Sequence, residues 1–158
     1  MAEILTEELL ELLRDPSTIK VLATAGKDGT PHAVFKDSIH SDEEGNLVTL
    51  ELIESSRTNS NLVYSLWFNR KVSVALHAQD GSSYEIVGKP ERCIVAGPVF
   101  EKYYRDVRVR LGDVDLAAVW LITPVEIRNE TFGVRNEEES AAHPLFLHLD
   151  RIAKTDES

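Results

Sequence analysis

A cluster of short polar side chains with one arginine follows an apolar segment in the stretch ELIESSRTNSNLVYSL, from Glu51 to Leu66. Ser56, Thr58 and Asn59 supply hydroxyl and amide groups, and Arg57 supplies a cation. At a helix start the backbone N–H groups lack intrahelical acceptors, so this segment can bind an anion, ideally a terminal phosphate. Serine, threonine and asparagine are also common helix N-caps, so the same residues fit a purely structural role.

The overall charge makes a lone arginine here unusual. The 158-residue chain has 17 Lys and Arg residues against 27 Asp and Glu residues, a formal net charge of −10. Such a surface repels nucleic-acid backbones and anionic membranes, so we expect neither as a partner. Cys93 is the one cysteine, which excludes an intrachain disulfide, and no apolar stretch is long enough to span a membrane. We therefore expect a cytoplasmic location.

Most other familiar chemistry has no counterpart in the sequence. It contains no G-x-x-x-x-G-K-[ST] phosphate loop, no G-x-G-x-x-G and no G-x-S-x-G motif. The histidines show no i, i+4 pair that would place two imidazoles on one helix face. We therefore expect no metal site.

The elements that would position the polar cluster can be predicted from spacing. Leucines at i, i+4, i+7 and i+8 from Leu5 form one helical stripe, with Thr6 as N-cap and Pro16 ending the helix. Strand-like segments cover residues 19–25, 31–39, 47–52, 71–78, 84–97 and 115–131. Two further helices are predicted at about 59–68 and at 98–111. Gly88 and Pro90 within a strand indicate a bulge or an edge.

These elements indicate a mainly β fold, a barrel of six antiparallel strands with flanking helices. We divide the chain into an N-terminal helix that packs on the barrel (1–16), the barrel domain (17–135) and a C-terminal segment (136–158). The last consists of an acidic linker and an amphipathic stretch with Leu145, Leu149 and Ile152 on one side. An apolar element on a polar tether is expected to cover the barrel or a partner subunit.

Four short motifs occur in an order that resembles the FMN-binding split β-barrel superfamily, which includes pyridoxamine 5′-phosphate oxidase and small FMN-binding proteins. They are Gly29-Thr30-Pro31 in a turn, Ser56-Arg57-Thr58 after a strand, Asn61-Leu62 in a helix, and Asn69 followed by Val72-Ser73-Val74. The resemblance covers about residues 17 to 125. It implies a six-stranded antiparallel split barrel of the Greek-key type.

The resemblance also implies FMN as the cofactor and a set of binding residues. Ser56, Arg57 and Thr58 would hold the phosphate, and Glu51 and Leu52 would lie at the ribityl chain or the ring edge. The strand residues that would run along the flavin are Phe35, Lys36, Asp37 and Ser38. Lys36 could place a positive charge near the ring and favour the anionic reduced flavin.

The function implied is that of an FMN-dependent oxidoreductase. It would be a homodimer with flavin sites at the interface, and would use a small-molecule substrate or electron donor. The flavin would supply the chemistry, so we expect no catalytic side chain. Because the C-terminal signature of pyridoxamine 5′-phosphate oxidase is missing, we do not expect that activity.

Two departures from the family pattern keep other functions open. Thr58 stands where the family usually has a second basic residue, and Glu51 is an acidic neighbour for an anionic cofactor. The alternatives are a non-catalytic flavin or haem carrier, an F420-type deazaflavin enzyme, and a scaffold without a cofactor. The histidines considered as haem ligands are His32, His77, His143 and His148.

Overall fold

The computed structural model describes residues 4–145, which form one antiparallel sheet of seven strands with four helices beside it. The strands are β1 (Ile19–Ala25), β2 (Pro31–Phe35), β3 (His40–Ser41), β4 (Leu47–Glu51), β5 (Val72–His77), β6 (Ser83–Ile94) and β7 (Ala118–Asn129). The helices are α1 (Glu7–Arg14), α2 (Arg57–Trp67), α3 (Pro98–Leu111) and α4 (Phe132–Ala142). The strand order is β2-β1-β5-β6-β7-β4-β3. The predicted fold class is confirmed, with seven strands in place of six.

The additional strand arises where one long strand was predicted over 31–39. The chain turns after Phe35, and the backbone N–H of Ile39 donates to the Lys36 carbonyl at 3.2 Å. His40 and Ser41 then pair with β4 at the far edge of the sheet. Residues 36–39 therefore form a turn that separates β2 from β3. This turn connects the two edge strands of the sheet.

A bulge in the long β6–β7 pair confirms the prediction made from Gly88 and Pro90. The register shifts between Val87 and Gly88 and again after Pro90. A Cβ atom on Gly88 would lie 2.5 Å from Ile122 Cγ2, a distance that real Cβ contacts do not reach. Glycine is therefore required at this bulge.

Helix α1 packs its apolar stripe into the main core. Thr6 caps it as predicted, accepting a hydrogen bond from the Leu9 backbone N–H at 3.3 Å. Leu9 and Leu13 are almost fully buried in the cluster that also contains Trp120. The buried Lys20 ammonium donates to the Leu13 carbonyl at the end of α1 and to the Ile39 carbonyl beside β3, both at 2.7 Å.

Helix α2 begins at Arg57, two residues before the predicted start. Side-chain hydrogen bonds fix it to the sheet: the Asn61 amide donates to Thr24 Oγ1 at 3.0 Å, and the Trp120 indole donates to Asn59 Oδ1 at 2.9 Å. These anchors hold the first turns of α2 at a fixed position relative to the neighbouring strand ends.

The acidic stretch predicted as a linker is partly helical. Helix α4 covers Phe132–Ala142 and has no buried residue. Good helix formers such as glutamate and alanine account for it, although its charge had indicated a loop. Residues 146–158, including Leu149 and Ile152 of the predicted amphipathic stretch, lie outside the described residues. None of the described helices is long and apolar enough to cross a membrane.

Tyr84 at the start of β6 gives the fold a pH dependence. Burial and the nearby Glu8 carboxylate of α1 raise the pKa of Tyr84 to about 12, above the value of about 10 in an unfolded chain. Because the unfolded state loses this proton first, we expect stability to fall as the pH rises from about 10 to about 12. Plots of the free energy of unfolding against pH for the parent and Tyr84→Phe should diverge in this interval, since phenylalanine removes the titrating hydroxyl. Parallel curves would contradict the assignment.

Candidate functional site

The largest cleft brings together residues from four separate parts of the chain. It has a volume of about 770 Å³ and lies between β2 and the turn that follows it, the end of β4, the start of α2 and the last turns of α3. All nine residues predicted to bind the cofactor line it: Phe35, Lys36, Asp37, Ser38, Glu51, Leu52, Ser56, Arg57 and Thr58. The volume lies within the range typical of small-molecule and cofactor sites, about 300–1,000 Å³.

The start of α2 forms one end of this cleft. Ser56 is the N-cap, and its Oγ accepts a hydrogen bond from the Asn59 backbone N–H at 3.0 Å. Ser56 therefore has the structural role of a helix N-cap. The backbone N–H groups of Arg57 and Thr58 lack intrahelical acceptors, and the exposed Arg57 side chain lies beside them. This end can accordingly hold an anion through main-chain donors and one guanidinium.

Ser56 also connects the helix start to the end of β4. Its hydroxyl donates to Glu51 Oε2 at 3.1 Å, so this proton is not available for a hydrogen bond to a ligand. Replacing Ser56 with alanine should lower the free energy of unfolding by about 1 kcal/mol, the usual value of an N-cap. Urea unfolding would measure the loss, and Ser55→Ala in the preceding exposed position is the control. An unchanged midpoint would contradict the capping role.

Lys36 and Glu51 form an ion pair inside the cleft. Lys36 Nζ lies 2.7 Å from Glu51 Oε1, at an angle outside the hydrogen-bonding range, and also donates to the Leu50 carbonyl at 3.2 Å. Only 2% of the Glu51 side chain and 17% of the Lys36 side chain are exposed. Glu51, which by its charge is an unfavourable neighbour for an anionic cofactor, is thus the counter-ion of Lys36.

The turn after β2 is fixed by hydrogen bonds to β4. Ser38 Oγ accepts from the Leu50 backbone N–H at 3.1 Å. Asp37 is exposed in this turn, and its charge favours the protonated form of Lys20. Burial nevertheless lowers the pKa of Lys20 below its ordinary value.

A second arginine in the cleft was missed by the sequence analysis. Arg110 on α3 lines the same cleft as Arg57, and Val107 and Leu111 of α3 contribute apolar surface beside it. The spacing within α3 indicates that these three side chains lie on neighbouring faces of the helix. It does not show that this face lines the same cleft as the start of α2, so only the tertiary structure reveals that both arginines belong to one cleft.

A smaller cleft of about 460 Å³ adjoins the first and shares Asp37, Ser38, Leu50 and Arg110 with it. Here His40 Nδ1 lies 2.7 Å from the Ser38 carbonyl, which can only accept, so this nitrogen donates. In neutral His40 the Nε2 atom must then accept from the Tyr103 hydroxyl at 2.8 Å. Burial raises the pKa of Tyr103, which keeps this hydroxyl protonated. The two residues are 63 positions apart in sequence, so no local pattern could have found the pair.

The larger cleft can bind a ligand that has an anionic end and an apolar body. The helix start offers N–H donors and the charge of Arg57 at one end, and Arg110 adds a second guanidinium to the lining. Phe35, Leu52 and Ile53 supply apolar surface. Within residues 4–145, no group of three His, Cys, Asp or Glu residues is placed to hold a metal ion.

Comparison with known proteins was made by sequence and by structure. The sequence matches no family model and no curated protein. Its structure resembles HupZ from Group A Streptococcus, with 20% identity over 82% of this chain and 96% of that chain and a TM-score of 0.66. An FMN-binding protein from Syntrophomonas wolfei matches with 14% identity over 79% of this chain and 88% of that chain, at a TM-score of 0.61.

The fold is a split β-barrel. HutZ of Vibrio cholerae, described as a haem storage protein, has the same split barrel, with 13% identity, 80% and 95% coverage and a TM-score of 0.54. At these identities the comparisons establish the fold. Which ligand this split barrel binds depends on the residues of its own cleft.

Proposed function

We propose that this split barrel binds FMN in the larger cleft and acts as an oxidoreductase through the bound flavin. One observation carries the proposal: the helix start at Ser56–Thr58 and the strand ends at Phe35–Ser38 and Glu51–Leu52 line a single cleft. These segments are distant in the sequence, and the family resemblance implies contact with FMN for each of them.

The phosphate of FMN fits the end of the cleft at α2. The free N–H groups of the first helical turn and Arg57 would bind it by charge-assisted hydrogen bonds. Thr58 stands where a second basic residue was expected, and Arg110 supplies a second guanidinium elsewhere in the lining of the same cleft. Ser56 contributes by fixing the helix start, since its own hydroxyl proton is donated to Glu51.

The isoalloxazine ring fits the apolar part of the cleft, where Phe35, Leu52 and Ile53 would contact it. Phe35 is 77% exposed, Ile53 64% and Leu111 56%, which leaves an apolar rim around the opening. A second copy of the chain would cover this rim and exclude water from the ring. We therefore propose a homodimer with its flavin sites at the interface.

Bound FMN would supply hydride or electron transfer, and the chain would bind it, orient it and shield it from water. A small molecule would serve as electron donor or substrate. The expectation that pyridoxamine 5′-phosphate is not the substrate, the cytoplasmic location and the absence of nucleic-acid and membrane partners remain predictions.

Haem binding is the second candidate. Of the histidines considered as iron ligands, His32 is half-buried and lines the larger cleft. The structural similarity to HutZ supports haem binding through the shared fold alone. The two arginines suit the carboxylates of a haem as well as a phosphate, so charge does not separate the two ligands.

The visible spectrum of freshly purified protein separates these functions. We expect a yellow protein that releases FMN on denaturation, or a colourless one that takes up added FMN. A haem spectrum would favour the second candidate, and a released deazaflavin would favour an F420-type enzyme. A colourless protein that takes up none of these cofactors would contradict the proposal.

A further inference from the structure

The Lys36–Glu51 ion pair determines where the cleft is positively charged. Lys36 is the only lysine that lines the described cleft, and Glu51 Oε1 lies 2.7 Å from its ammonium. Arg57 and Arg110 form no ion pair within residues 4–145. The lysine is therefore neutralised by a direct contact and the two arginines are not, although Asp37 also lines the cleft and Asp28 attracts Arg57 at longer range.

Glu51 is held in place from three sides. Its carboxylate contacts Lys36 through Oε1 and accepts the Ser56 hydroxyl proton through Oε2. Its backbone carbonyl accepts from the Ala117 N–H at 2.8 Å, at the point where β4 pairs with β7. Because the side chain is almost fully buried, turning it away from Lys36 would leave two charges without partners, which is strongly unfavourable.

We propose that Glu51 lowers the reduction potential of the bound flavin by cancelling the charge of Lys36. This inference rests on the proposed function, since it concerns the same cleft. Two-electron reduction adds one proton and two electrons to the flavin, which gives the ring one negative charge. A free ammonium beside the ring would stabilise that charge and raise the potential, whereas a neutral ion pair stabilises it much less.

The test is a redox titration of FMN bound to the parent, Glu51→Gln, Lys36→Met/Glu51→Gln and Glu54→Gln. Glu54 is exposed and does not line the cleft, so its replacement makes the same change in net charge elsewhere. We expect Glu51→Gln to raise the potential by at least about 30 mV, a tenfold change in the two-electron equilibrium. The double variant should return to the parent value, because neither charge remains, and Glu54→Gln should match the parent.

A bound flavin whose potential is the same in the parent and Glu51→Gln would overturn the inference and leave the proposed function intact. A double variant as high as Glu51→Gln would also overturn it, since Lys36 would then play no part. Failure of the parent to bind FMN would instead overturn the proposed function, and with it any effect of Glu51 on a flavin.

A measurement without flavin keeps the ion pair itself testable. Limited acetylation of lysines, read by peptide mass spectrometry, reports how well Glu51 covers the Lys36 ammonium. We expect Lys36 to react several-fold faster in Glu51→Gln than in Glu54→Gln. Equal rates would show that Glu51 does not neutralise Lys36 in solution and would overturn the inference.

Discussion

Replacing Arg57 with alanine should weaken FMN binding by about 1.5–3 kcal/mol, which is the value of a charge-assisted hydrogen bond. This corresponds to a roughly tenfold to hundredfold higher dissociation constant. The reason is geometric: Arg57 is exposed at the start of α2 and lines the cleft beside two backbone N–H groups without intrahelical acceptors. Titration of flavin-free protein with FMN, followed by flavin fluorescence, measures the change.

Two controls locate this effect at the phosphate. Riboflavin has the same ring and ribityl chain without the phosphate, so its affinity should hardly change in Arg57→Ala. Arg92→Ala removes the same charge from an exposed position of β6 that does not line the cleft. A loss of equal size for riboflavin, or for FMN in Arg92→Ala, would show that Arg57 does not bind the phosphate.

Replacing Lys36 with methionine should lower the free energy of unfolding by about 3 kcal/mol at neutral pH, since removing one partner leaves a buried charge uncompensated. Glu51 is the residue left behind, with only 2% of its side chain exposed. The Ser56 hydroxyl would remain as a hydrogen-bond donor to it, but a neutral donor does not replace an ammonium. Urea unfolding of flavin-free protein measures the loss.

The double variant Lys36→Met/Glu51→Gln tests the cause of this loss. It removes both charges while the glutamine oxygen can still accept from Ser56, so it should regain at least half of the lost stability. If the double variant is no more stable than Lys36→Met, the loss comes from another contact of the lysine, such as its hydrogen bond to the Leu50 carbonyl, and the ion pair is unimportant. A Lys36→Met protein as stable as the parent would contradict the pair altogether.

Local signals predicted most of the fold. The leucine stripe and Thr6 fixed the position of α1, and Pro98 in the first turn indicated where α3 begins. Gly88 predicted the bulge because only a residue without a side chain fits against Ile122. Each of these features depends on residues within a few positions of one another, which a sequence pattern can reveal.

The errors concern one strand that depends on a tertiary contact and one helix that has no apolar stripe. The two-residue strand β3 is too short to give an alternating pattern and exists because β4 pairs with it. Helix α4 is exposed, so it lacks the apolar stripe by which a helix is usually predicted.

The residues of the cleft also differ in whether a local sequence pattern could reveal them. Its first residues, Ser56 to Thr58, carry a local signal because they are polar and start a helix. Arg110 joins them only through the packing of α3, and Glu51 appears unfavourable until Lys36 is seen 2.7 Å from it. The sequence therefore predicted nine of the residues that line the cleft, but neither Arg110 nor the pairing of Lys36 with Glu51.

The central claim is that the larger cleft holds FMN by its phosphate. Comparing the affinities of the flavin-free parent protein for FMN and for riboflavin, by fluorescence titration, tests it most directly. The two arginines and the free helix N–H groups predict saturable binding of FMN that is at least about tenfold tighter than that of riboflavin. Equal affinities, or no saturable binding of FMN, would contradict the claim.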